Sequence, residues 1–185
     1  GTEARALLQH ADSAIYFAKK KGQSLAVYDA SADQHKPERL SMMGELRQGL
    51  EKGQFKFYYQ PKVDLVSGCV TGMEALLRWV HPAMGMISPV KFIPLAEETG
   101  LIVPLGSWAM EEACRQLVRW RETSPENASL TMAVNLSPRQ LLEPGLPGEV
   151  ARVLHDTGVA PGAVWLEITE ETLLRDRAQL DDAVE

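Results

Sequence analysis

FKFYYQPKVDL (residues 55–65) is followed, after only Val66, Ser67 and Gly68, by CVTGMEALLRWV (residues 69–80). Both runs are strand-like, rich in aromatic and β-branched residues and bounded by turn residues. A parallel crossover needs a dozen or more residues, so a three-residue gap makes the pair an antiparallel hairpin. The second run also carries Glu74 and Arg78. Charged groups enter a buried strand only with a partner or a ligand.

After Pro82 the pattern changes. Helices are predicted near Pro89 to Glu98 and from about Val103 to Arg121, ahead of a strand in SLTMAVNLS (129–137). Helical spacing near Pro138 to Leu142 and Gly148 to Asp156 precedes a strand in AVWLEITE (163–170), and another helix starts near Glu171. Strands alternating with helices predict parallel β/α units. Upstream, Glu3 to about Lys21 reads as a helix ending at Gly22, and Ser24 to Asp29 as a short strand. Together they are too small for a core and read as the end of a larger domain. A polar linker (30–40) containing Pro37 leads into a helix over roughly Glu38 to Lys52. No internal repeat or low-complexity tract interrupts the chain.

The 185 residues carry a net charge of −6, so no global basic field draws nucleic acid and an anionic ligand needs local cations or a metal. Cys69 and Cys114 fit no zinc spacing and suit a reducing, cytoplasmic protein; a parent protein anchored through other segments is compatible with this. No signal-peptide h-region or membrane-length apolar run is present.

Three strands carry an acid or amide late in an apolar run: Glu74, Asn135 and Glu167. Residues at the carboxyl ends of parallel strands converge on one site. Two carboxylates and an amide oxygen form a hard donor set that suits Mg2+, Mn2+ or Ca2+ better than zinc. Strand alternation puts Arg78 on the face of Glu74, as a bidentate phosphate clamp, and Thr169 on that of Glu167. Gln60 is predicted opposite Met73 or Glu74. A dication, a clamp and an amide point to phosphate-ester chemistry. Plainer readings compete at each position. Glu74 suits a rim salt bridge, Asn135 a helix cap, and Glu167, Glu170 and Glu171 first-turn acids. His81, like His10, His35 and His155, suits a turn or the surface, Met84 and Met86 loop or core filler, and the four tryptophans packing.

YYQPKVDL, GMEALLRWVHP, SPVKFIPLAEETGLI, AVNLSPRQL and LEITEETLL, in this order, closely resemble the EAL-domain family of cyclic di-GMP phosphodiesterases. LLQHADSAIYFAKKKGQSLAVYD, near the start, is similar to the end of a GGDEF (diguanylate cyclase-type) domain. The resemblance implies an α/β fold: a partial TIM-type (β/α)8 barrel with an antiparallel first strand. About four barrel strands are visible, with a GGDEF remnant over 1–29, a linker over 30–40 and the first half of the EAL-like domain over 41–185. It further implies metal ligation by Glu74, Asn135 and Glu167 with Mg2+ or Mn2+, and dinucleotide contacts from Gln60 and Arg78. Glu170 takes the place of an acid that holds the loop organising the metal site. Glu74 and Glu170 are then the catalytic acids visible here.

The implied reaction is hydrolysis of cyclic di-GMP to pGpG in bacterial second-messenger signalling. The family's later acids, lysine and glutamine fall on strands past Glu185, so the 185-residue chain alone is expected to lack turnover. The alternative is a non-catalytic EAL module serving as a cyclic di-GMP receptor or regulatory interaction domain; a purely structural fragment is a third reading. Half a barrel leaves open edges, which predicts domain swapping or homo-oligomers. Sensor domains are expected upstream in the parent.

Overall fold

The computed structural model describes residues 37–168 continuously, together with residues 7, 10, 11, 14, 15, 18 and 24–27. Two compact units divide the chain, Gly1–Glu45 and Leu46–Glu185. In the first, the described residues between 7 and 18 are helical, as the apolar spacing predicts. Ser24 is a bend and residues 25–27 have no regular structure, against the expected strand. A strand needs a ladder partner, and none pairs with this stretch among the described residues.

Helix α1 (Pro37–Glu51) leads into the hairpin of β1 (Phe55–Val63) and β2 (Val70–His81). The pair is antiparallel, with Gln60 facing Glu74 and Phe55 facing Trp79. The register shifts between Lys62 and Val63, because Lys62 pairs with Gly72 while Val63 pairs with Val70. Asp64 closes the turn: its Oδ1 accepts from the Ser67 amide (2.7 Å), the Ser67 hydroxyl (2.7 Å) and the Val66 amide (3.2 Å). Gly68 supplies the left-handed φ of 69°.

A short strand that the sequence hides, β3 (Gly85–Ile87), folds back onto the end of β2. Helices α2 (Pro89–Thr99) and α3 (Ile102–Thr123) follow, then a 3-10 turn and β4 (Thr131–Asn135). The short α4 (Pro138–Leu141), then α5 (Leu146–Thr157) and a second 3-10 turn, lead to β5 (Val164–Glu167). The sheet order is β1-β2-β4-β5, with β2, β4 and β5 parallel to one another. The predicted last helix lies outside the described residues. No helix among them is long and apolar enough to cross a membrane.

Strand alternation divides the sheet into two faces. Ala75, Met132 and Val134 pack with Met110, Ala113, Cys114 and Leu117 of α3 and Val153 of α5 in one apolar core. Phe55, Trp79 and Phe92 extend that layer, with Phe55 and Trp79 ring centroids 5.5 Å apart. The opposite face carries Gln60 and Lys62 of β1, Glu74, Leu76 and Arg78 of β2, Asn135 of β4 and Glu167 of β5, each exposed or half-buried. One face is therefore apolar and covered by helices. The other is polar and open.

His81 is the last residue of β2, directly before the turn, and is buried, against the expected turn or surface position. Its Nδ1 accepts from the amides of Met84 (3.1 Å) and Ala83 (3.2 Å) and so ties the β2–β3 turn. Met84 and Met86 are half-exposed and contribute little to the core. Trp79, Trp108 and Trp120 pack as expected, whereas Trp165 is 61% exposed because its parity places it on the open face.

Candidate functional site

Parallel register brings the acid and amide residues together. Asn135 and Glu167 are direct partners across β4 and β5, and Glu74 is level with Ala133, two residues before Asn135. Within its own strand Glu74 is not late: it is the fifth residue of the twelve in β2. The parallel pairing of β2 ends at Ala75, and the remainder of the strand pairs only with β1 and β3. Glu74 is thus near the end of the parallel block, which is the end that matters for a shared site.

Asn135 Nδ2 donates to Oε1 of Glu74 at 2.9 Å. The plainer reading of Asn135 as a helix cap gives way. Ser137 caps α4, its hydroxyl accepting from the Gln140 amide (3.3 Å) while its own amide donates to Gln140 Oε1 (3.2 Å). That capping box, with Gln140 buried, fixes the chain directly after Asn135. Glu167 is not a first-turn acid either, since it is in β5, and its Oε1 accepts from the Lys62 ammonium. The expected rim salt bridge therefore exists, but on Glu167 instead of Glu74. Lys62 escaped the sequence reading, although its parity with Gln60 places it on the same face.

Gln60 is directly opposite Glu74, as expected. Arg78 shares the face of Glu74; its guanidinium carbon is 5.7 Å from the Tyr58 ring centroid and Nη1 donates to the Leu77 carbonyl (2.9 Å). Stacking on Tyr58 restrains the guanidinium, and among the described residues no carboxylate forms an ion pair with it. A cleft of about 380 Å3 joins Arg78 to Asn135, with Glu97, Leu105, Ser137 and Gln140 also in its wall. Glu170 and Thr169, expected beside this site, lie outside the described residues.

The donors fit a hard dication. Two carboxylates and an amide come from three adjacent strands, and the Lys62 ammonium sits against one of the carboxylates. Rotating the Asn135 amide by half a turn replaces Nδ2 with Oδ1 and completes an oxygen-only set. Among the described residues no group of three or more His, Cys, Asp or Glu that could hold a metal ion is assembled, and the set here counts two carboxylates and an amide.

A family model for the EAL domain matches residues 43–185. The chain is 42% identical over 171 residues to the bifunctional diguanylate cyclase/cyclic di-GMP phosphodiesterase MucR of Pseudomonas aeruginosa, covering 92% of this chain and 25% of that protein. It is 37% identical over 177 residues to the cyclic di-GMP phosphodiesterase PdeR of Escherichia coli, covering 95% of this chain and 26% of that protein. Among solved structures, the PaMucR phosphodiesterase in complex with c-di-GMP superposes with a TM-score of 0.70 at 42% identity, covering 78% of this chain and 59% of that one. The chain thus spans about a quarter of the length of these curated relatives.

Proposed function

The chain belongs to the EAL-domain family, and we propose that it supplies the first part of a cyclic di-GMP phosphodiesterase site that yields pGpG. The observation that carries this reading is the convergence of Glu74, Asn135 and Glu167 on one open face, beside Arg78 and Gln60. The relatives named for this activity, and the PaMucR complex with c-di-GMP, support it.

Glu74, Asn135 and Glu167 would hold Mg2+ or Mn2+. Bound there, the metal would offset phosphate charge and lower the pKa of an attached water. Arg78 would clamp a phosphate oxygen in a bidentate way, oriented by its stacking on Tyr58. Gln60 would hydrogen-bond the dinucleotide from the first strand, and the capping box after β4 would keep Asn135 in place. Glu170 is proposed as the acid that holds the neighbouring loop. We also read residues 1–29 as the end of a GGDEF domain, in a cytoplasmic signalling protein with sensor domains upstream.

Glu74→Gln in the full-length protein tests the reading, because it retains the side-chain shape and removes the charge. Hydrolysis of cyclic di-GMP, followed as pGpG by chromatography, is expected to fall by at least about 100-fold. Retained hydrolysis sinks the assignment of Glu74. Wild-type binding of cyclic di-GMP without any turnover would favour a receptor instead.

A further inference from the structure

Lys62 is a charged residue of the open face, in contact with the candidate site, that the proposed chemistry leaves unused. Its ammonium pairs with Oε1 of Glu167, and the contact joins β1 to β5, the two end strands of the sheet path. Its register partner is Gly72, so no side chain of β2 crowds it from directly across. The two side chains are 43% and 37% exposed. An ion pair that wet contributes little to stability, so it is free to exchange partners.

Glu167 is also a proposed metal ligand, and the ammonium and a dication cannot share one carboxylate oxygen without strong repulsion. We propose that Lys62 is an internal counter-cation for the metal site: it neutralises Glu167 in the metal-free protein and is displaced when the dication binds. With Lys62 in place, the two acids Glu74 and Glu167 present less unbalanced negative charge to an incoming phosphodiester. The same lysine competes with every metal ion for Glu167 and thereby weakens metal binding. This rests on the metal-site reading above and adds a competitor to it.

Calorimetric titration of the full-length protein with Mn2+ tests the proposal without recourse to turnover. Lys62→Met and Lys62→Gln, at a half-exposed position, are each expected to bind Mn2+ about fivefold more tightly than wild type. Lys62→Arg keeps the charge and is expected to stay within about twofold of wild type. Unchanged or weaker binding by both neutral variants overturns the competitor role, as does equal tightening by the arginine variant. Glu167→Gln separates the two ideas. If it abolishes Mn2+ binding while the Lys62 variants match wild type, the metal site stands and the competitor falls. If the wild type itself binds no Mn2+, both fall.

Discussion

Tyr59 and Gln60 are chain neighbours with opposite surroundings. Tyr59 faces the core, its ring edge-on to Trp120 with centroids 4.6 Å apart, while Gln60 faces solvent across from Glu74. Burial pushes the Tyr59 phenol up to about 12, and the nearby Glu112 carboxylate adds to the rise. A phenol raised in the folded state keeps its proton when the unfolded chain has lost it. Its contribution is thus intact below pH 10 and declines as pH rises from 10 toward 12. Absorbance at 295 nm is expected to show a late-ionising component that Tyr59→Phe removes; its survival in that variant would assign it to another tyrosine. Parity along YYQPK is legible in the sequence itself, since period two assigns each side chain to a face. The pairing of Lys62 with Glu167 is not, because 105 residues and two intervening strands separate them.

At the level of elements, packing decides between two glycines. Gly44 in α1 and Gly106 in α3 both occupy helices, where alanine is intrinsically better by about 1 kcal/mol. Among the described residues a Cβ on Gly44 would meet nothing within 4 Å, so Gly44→Ala is expected to stabilise by about 0.5–1 kcal/mol in chemical denaturation. A Cβ on Gly106 would come within 1.8 Å of Gln140 Nε2. Gln140 is buried and committed to the capping box, so it has little freedom to retreat. Gly106→Ala is expected to destabilise by about 1–3 kcal/mol, with a smaller further loss when Gln140→Ala is combined with it. Melting temperatures that fail to drop for Gly106→Ala would refute the clash. Helix ends are well marked in the sequence, Gly100 and Gly158 taking left-handed φ of 76° and 72° just past α2 and α5. Strand β3 is not, for three residues carry no period, and only the fold brings Met86 beside Val80. The β1–β2 hairpin and the parallel β/α order follow from loop lengths and element order, while the position of Glu74 depends on where β2 leaves the parallel block.

On the scale of the molecule, the sheet ends in two unlike edges among the described residues. β1 carries Lys56, Pro61 and Lys62, residues that blunt strand-to-strand association. β5 carries Val164, Trp165 and Leu166, and the tryptophan is largely exposed. The purified 185-residue chain is therefore expected to self-associate through β5, with a light-scattering mass that exceeds 20.4 kDa and rises with concentration. Trp165→Lys is expected to lower that mass; a concentration-independent monomer in the wild type would contradict the edge assignment. The register shift between Lys62 and Val63 matters at this scale too. Lys56, Gln60 and Lys62 all lie before it, and the turn with Leu65 and Val66, 97% and 96% exposed, lies beyond it. The irregularity works as an expansion joint. A residue added to or removed from the tip would be absorbed there, leaving the open-face side chains of β1 in their alignment.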